Sequence, residues 1–267
     1  MPAPPGSSTP GYFDPGDPVA ERDATILDYF WANTIQEELA AIVEQGAGVA
    51  LDRTNNAQVL AALRGLIASI PHGVQVFSAV TTTNFVVPAG VTWIDVELWG
   101  GGAGSFASYG TKRSGGGGAG AYARRRLAVT PGQSIAVTIG GGGGAGVASG
   151  IDWPSNGGTS SFGGYLTATG GQRNPSASPT DSLDFGGIGG GASGGDLNVT
   201  GSSGTPATPT TNGMGGAPAL GAAIGSGTYG LPGIAPGGGA AGAGFLADGV
   251  TPQPGAAGAN GLCIVRW

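Results

Sequence analysis

The feature that most constrains this chain is its glycine, which comes in runs: Gly100–Gly104, Gly115–Gly120, Gly140–Gly146, Gly186–Gly195, Gly213–Gly216 and Gly237–Gly244. Fifty of the 58 glycines lie between Gly100 and Gly261, so two composition regimes share 267 residues. Glycine loses more backbone entropy on folding than any other residue, so ordering these runs is costly. Three outcomes compete. A flexible linker is disfavoured because strand-like sequence resumes after the runs and the chain closes on an apolar stretch, Leu262-Cys-Ile-Val-Arg-Trp267. Collagen needs glycine at every third position, and Gly115–Gly118 and Gly140–Gly144 break that period. A bundle of polyglycine II helices fits best. Such a helix has three residues per turn and no internal hydrogen bonds, so its amides and carbonyls pair with neighbours that only glycine lets approach.

Charged residues make up only 10% of the chain, and disordered segments normally combine high net charge with little apolar content. The net charge of −6 sits in residues 1–72, with nine acids and three arginines; residues 73–267 hold seven of each sign. No basic footprint for nucleic acid is present. The single cysteine, Cys263, lies in an apolar run and reads as a buried thiol. The first ten residues show no secretory signal, and no run of 18 apolar residues spans a membrane.

Residues 1–22, with six prolines and three glycines, read as an extended arm. A helix follows, with Leu27, Trp31, Ile35, Leu39 and Val43 every fourth residue, Phe30 and Ile42 beside them, Asp23 or Asp28 as cap, and Gly46 and Gly48 as stop. A second helix is expected over about 56–70, capped by Asn55, with Gln58 in the sense of a capping box. Its stripe is Val59, Leu60, Leu63, Leu66, Ile67 and Ile70. Two short helices cannot bury both stripes alone, so residues 23–72 form an attachment or oligomerisation segment.

From residue 73 the signals turn to β: 74–77, 83–87, 91–99, 122–129, 134–139, 165–169 and 262–267, with turns at Pro88-Ala-Gly90 and Thr130-Pro-Gly-Gln133. Trp93, Trp99 and Trp267 are expected in the core, and Arg124-Arg125-Arg126 on a solvated strand face. The fold class is therefore mainly β, with a small α-helical N-terminal segment and a C-terminal β base carrying a polyglycine II bundle. If the strands share one end, the segments between them alternate in direction. Loops 105–114, 147–156, 172–185 and 245–254 then lie at the far tip, and turns 130–133 and 162–164 at the near end.

No chemistry of catalysis is legible. Gly141-x-Gly143-x-x-Gly146 matches the dinucleotide fingerprint but lacks the following helix whose N-terminus would hold phosphate. His72 is the only histidine and sits in a linker, so neither a metal site nor a catalytic triad can be assembled on it. Asp152, Asp181, Asp184, Asp196 and Asp248 are scattered over separate loops, a poor basis for a carboxylate pair. No cofactor is expected. The loops instead mix aromatic and adaptable polar residues on a rigid base, the composition of a recognition surface: Phe106, Tyr109, Lys112 and Arg113; Asp152 and Trp153; Arg173, Asn174 and Phe185.

Both parts of the chain resemble phage tail proteins. Gly11-Tyr-Phe13, Ala24-Thr-Ile-Leu27, Trp31-Ala-Asn33, Gln36-Glu-Glu-Leu39 and Gln58-Val-Leu60 look like the segment that opens many tail fibre proteins. Phe85-Val-Val-Pro-Ala-Gly-Val91, Val96-Glu-Leu-Trp-Gly-Gly-Gly-Ala-Gly104, 115–122, Val129-Thr-Pro-Gly-Gln133 and the final strand are similar to the glycine-rich domain of phage tail proteins. The runs also resemble the polyglycine II tip adhesins of T-even-like phages, whose far loops bind outer-membrane receptors. The resemblance implies a virion protein at a tail fibre or tail tip, often trimeric. It would hold a bacterial outer-membrane protein or glycan, and other tail or baseplate proteins through its N-terminal segment. A structural baseplate component and a polysaccharide depolymerase are the alternatives.

Overall fold

A computed structural model describes residues 19, 29–52, 54–68, 70–109, 112–147, 153–174, 185–225, 227–245, 248–249 and 251–267. The expected N-terminal arm, the caps Asp23 and Asp28, and Asp152, Asp181 and Asp184 lie outside them. The chain divides into two units, residues 1–70 and Pro71–Trp267.

In the first unit, α1 (Tyr29–Ala41) ends in a π-turn over Ile42–Gly46, and α2 spans Gln58–Ala68. Gly48 leaves the helix with φ 65°. Asn55 Oδ1 accepts from the Ala57 amide, closing the turn that leads into α2 two residues ahead of the position expected for a cap. Gln58 makes no capping box: its Nε2 donates to the Ala50 carbonyl and its Oε1 accepts from the Asp52 amide, tying down the loop before α2. Val43 and Ala62 are buried, whereas Trp31, Ile35, Leu39, Leu60, Leu63, Ile67 and Ile70 are exposed. The apolar stripes are thus formed, with most of their side chains exposed.

The second unit begins as a sandwich of two five-stranded antiparallel sheets, in the orders β1-β10-β3-β4-β9 and β2-β5-β6-β7-β8. Strands β1 (Val74–Phe77), β2 (Thr82–Val86), β3 (Trp93–Trp99), β4 (Tyr122–Ala128), β5 (Ser134–Thr138), β7 (Leu166–Ala168) and β10 (Leu262–Arg266) lie where the alternation places them. Three short strands, β6 (Ser160–Phe162), β8 (Ala192–Ser193) and β9 (Leu197–Val199), are too brief and too small in side chain to carry a strand signal. The core between the sheets holds Phe85, Ile94, Val96, Leu98, Val137, Phe162, Leu166, Cys263 and Val265. Burial pushes the Cys263 thiol up to about 12.

The period of two decides the tryptophans. On β3, Ile94, Val96 and Leu98 point inward, so Trp93, Asp95, Glu97 and Trp99 face out. Trp93 is therefore not core: it is half exposed, with the Arg126 guanidinium 5.6 Å from its ring centroid. Trp99 is buried on that outer face, 4.7 Å from the Tyr122 ring, with its Nε1 donating to the Ala219 carbonyl. Trp267 packs 5.7 Å from Phe85 and covers Gly73, where any β-carbon would strike its ring. Arg124 and Arg126 are exposed, and Arg125 donates to the Gly194 carbonyl.

Beyond the sheets the glycine runs form a lattice whose period is visible in the hydrogen bonds. Along 100–105 the successive amides donate to Ala121, Gly158, Ala259, Gly118, Ser155 and Ala256. The acceptor rotates among three neighbours and returns to each after three residues, the symmetry of a polyglycine II helix. Each acceptor number falls by three on return, so those neighbours run antiparallel. The carbonyls of this segment accept from three further stretches, through the Gly143, Gly171 and Ala240 amides. Segment 114–121 repeats the pattern: it donates to the stretches around 202–205, 237–240 and 169–172, and accepts from those around 100–103, 187–190 and 213–216.

Three segments are enclosed, with every residue buried: 100–108, 114–121 and 237–245. Around them hydrogen bonds order nine further segments, 231–234, 252–261, 140–146, 153–159, 169–174, 185–191, 200–206, 212–218 and 222–225, each bonded to the next. Three mutually touching rods ringed by nine is the hexagonal packing of cylinders. The three inner rods are glycine, alanine and serine apart from Phe106 and Phe245 near their outer ends.

Close approach is what demands glycine here. Of the described glycines only seven have positive φ, and Gly237 alone of these lies in a lattice segment. By contrast, a β-carbon on Gly102, Gly116, Gly118 or Gly239 would fall inside 3.0 Å of a neighbouring backbone. Serine is the one polar side chain the inner rods admit, because its hydroxyl both donates and accepts. Ser105 Oγ donates to the Ala241 carbonyl and accepts from the Ala256 amide, and Ser114 Oγ donates to Phe106 and accepts from Ala243.

Candidate functional site

Alternating rods put one set of turns beside the sheets and another at the opposite end, about 25 Å away for eight residues at ~3.1 Å each. At that far end lie the ends of rods 100–108 and 114–121, 140–146 and 153–159, 169–174 and 185–191, 200–206 and 212–218, and 237–245 and 252–261, together with residues 227–230 before the rod 231–234. The turns 130–133 and 162–164 fall within the sandwich, between β4 and β5 and between β6 and β7.

The turn after Ser108 joins two enclosed rods, so it occupies the middle of this tip. Tyr109 and Lys112 exchange backbone hydrogen bonds of 3.1 and 2.9 Å across it. Tyr109 is 49% exposed and Lys112 is partly so.

On one side stands an aromatic and cationic stack. The Trp153 ring meets Phe106 edge-on at 5.6 Å, and the Arg173 guanidinium lies over it at 4.4 Å. Arg173 is fixed further: its backbone amide donates to Asn156 Oδ1 and its Nη1 to the Asn174 carbonyl. The outer ends of three rods thus converge through an aromatic edge contact and a cation–π contact, the latter worth about 0.5–1 kcal/mol where exposed and more where desolvated. Phe106 and Asn174 are buried, so they support this stack instead of presenting side chains outward. Trp153 is 38% exposed.

On the other side Arg113 turns away from solvent. Its Nε donates to the Pro209 carbonyl at 3.3 Å and its Nη1 to Asn212 Oδ1 at 2.9 Å, while the guanidinium sits 5.8 Å from the Phe245 ring centroid. Asn212 Nδ2 in turn donates to the Gly227 carbonyl. One arginine and one asparagine thereby tie four turns together. Phe185, 58% exposed, lies where the 185–191 rod begins its return, in one row with Ile188.

Sequence reasoning missed Asn212, Phe245, Tyr229 and the turns 208–211 and 227–230. The stretch 200–234 has few long glycine runs, yet its spacing carried a signal: Gly201 and Gly204, and Gly227, Gly230 and Gly233, recur every third residue. Thr208 closes the first of these turns, its Oγ1 accepting from the Thr210 and Thr211 amides.

The family model described as a glycine-rich domain matches residues 78–267, from just after β1 to the last residue. The chain belongs to this glycine-rich domain family. No curated protein matches the chain. The glycine-rich domain thus takes in nine of the ten described strands and every lattice rod, and β1 adds one edge strand to it.

The titratable groups that the fold shifts clearly sit away from the tip. Tyr122 is pushed up to about 12 by burial and by its hydrogen bond to Glu97. Burial raises the Glu97 carboxyl, but hydrogen bonds from Arg266 and Tyr122 and the nearby Arg124 charge outweigh it and hold Glu97 below its ordinary range. Among the described residues no group of three or more His, Cys, Asp or Glu is placed to hold a metal ion. The tip's exposed groups are aromatic rings, hydroxyls, amides, cations and the Asp248 carboxylate, suited to non-covalent recognition.

Proposed function

We propose that this chain is a bacteriophage tail-fibre or tail-tip receptor-binding protein. Its tip turns hold a bacterial surface molecule, an outer-membrane protein or a glycan, with no covalent step. The resemblance of both chain segments to phage tail proteins supports this reading. One structural observation carries it: the Tyr109–Lys112 turn stands at the centre of a tip, flanked by the Phe106–Trp153–Arg173 stack and the Arg113–Asn212 clamp. A stiff lattice under such turns removes the ordering cost that flexible loops meet on binding. The helical unit attaches the chain to other tail or baseplate proteins and to copies of itself, as a homotrimer in the virion.

Adsorption of fluorescent full-length protein to a panel of bacterial strains tests the reading. Tyr109→Ala is the clean probe, because Trp153→Ala would also release Arg173. A central hot-spot residue contributes about 2 kcal/mol or more, which is roughly a 30-fold loss of affinity. Adsorption to no strain would sink the receptor-binding reading. Full binding by both Tyr109→Ala and Lys112→Ala would sink the site and leave that reading standing.

A further inference from the structure

The helical unit carries an apolar groove and an apolar ridge on different faces. The groove encloses about 720 Å³ and is lined by Trp31, Ile35, Leu39, Val43, Leu51 and Val59, with Asp52 also in its wall. Trp31, Ile35 and Leu39 are 39–42% exposed along it. The ridge is the outer side of α2. That helix turns Ala62 inward and lays Leu66 against Gly46, which leaves Leu60, Leu63, Ile67 and Ile70 at 43–69% exposure. Helical spacing puts Leu60, Leu63 and Ile67 on one stripe, with Ile70 just beyond the helix end.

We propose that these two surfaces are halves of one interface, with the α2 ridge of one copy seated in the α1 groove of the next. A chain cannot fill its own groove this way, because Val59, at the start of α2, already forms part of the groove wall. The ridge fits within the groove's length: Trp31 to Val43 rises about 18 Å and Leu60 to Ile67 about 11 Å at ~1.5 Å per residue. Charge matches too. Arg64 follows Leu63 and is the only basic residue among the described residues of this unit, while Asp52 lines the groove. A head-to-tail ring of three copies uses every groove and every ridge once, in keeping with the proposed trimer. The proposal rests on the self-association part of the proposed function and is independent of receptor binding.

Light scattering on the full chain tests it. Wild type is expected as a multimer. A ridge variant, Leu63→Glu with Ile67→Glu, and a groove variant, Ile35→Glu, are each expected to fall to single-chain mass. Mixed in equal amounts they should form a one-to-one dimer, since the ridge variant keeps an intact groove and the groove variant an intact ridge. An interface in which each surface meets its own copy, ridge on ridge or groove on groove, gives no such rescue. Far-UV circular dichroism checks that the helices persist; if the glutamates unfold them, Leu63→Ser with Ile67→Ser takes their place. Wild type at single-chain mass, as when another segment of the same chain fills the groove, would overturn the proposal. So would a ridge variant of unchanged mass, or variants that fail to pair on mixing.

Discussion

Replacing Gly102 with alanine tests the lattice directly. The added β-carbon would meet the carbonyl oxygen and carbon of Gly238 and the carbonyl of Gly237, all backbone of a neighbouring enclosed rod. Neither rod can retreat, since each is hemmed in on every side. Relief requires lengthening bonds such as Gly102 to Ala259 and Gly143 to Gly102, both 2.8 Å. Overpacking costs about 1–3 kcal/mol and each lost hydrogen bond about 1 kcal/mol, against a gain of about 0.4–1 kcal/mol from restricting the unfolded chain. The net loss is about 3 kcal/mol, or roughly 6–12 °C in Tm for a domain of this size. Gly144→Ala is the control. Its nearest neighbour would be Ser155 Oγ at 3.5 Å, ordinary contact, and its φ is not positive. It should raise Tm by about 1–4 °C. Calorimetry on the full chain reads both. A Gly102→Ala transition within error of wild type, or one no lower than that of Gly144→Ala, would refute close approach as the reason for glycine.

Cys263 should resist iodoacetamide in the native state at pH 8 and react only as fast as the protein opens, because burial pushes its thiol to about 12. Its folded pKa lies above the ordinary 9.0, so its contribution to stability is present below pH 9 and lost as pH rises toward 12. Cys263→Ala should flatten that alkaline decline, checked by urea titration across pH. Glu97 behaves oppositely: held below 4.5, it contributes above that pH and loses its contribution as pH falls. Glu97→Gln should remove that acid dependence and, with the Arg266 side chain about half exposed, cost no more than about 1 kcal/mol. Arg113→Lys should loosen the tip, since a lysine cannot reproduce the fork to Pro209 and Asn212 over Phe245. Faster hydrogen exchange at residues 208–212 with an unchanged sandwich is the expected result; unchanged exchange there would show the clamp to be dispensable.

Much of this was legible in the chain because local rules act over a few residues. Alternation on β3 and β10, the Asn55 turn into α2, the buried Cys263 and the outward and returning glycine runs all follow from short-range pattern. The register of the sheets was not legible. It turns Trp93 outward to Arg126, and it depends on which strands pair. The strands β8 and β9, of two and three residues, exist only because β7 and β4 offer them edges.

The sequence by itself determined that the runs of glycine pack backbone against backbone, because no other residue permits that approach and no repeat of three makes collagen. With the strands gathered at one end, it also implied that alternate turns lie away from the sheets. Tertiary structure alone decided which three rods are enclosed, and hence that the Tyr109–Lys112 turn stands at the centre of the tip. It likewise set Arg113 to clamping turns and Phe106 and Asn174 to supporting them. The physical reason is that a polyglycine II helix has no internal hydrogen bonds: its neighbours, distant in sequence, supply every partner. The order of rods around the lattice is therefore written in contacts between segments and not within any one of them.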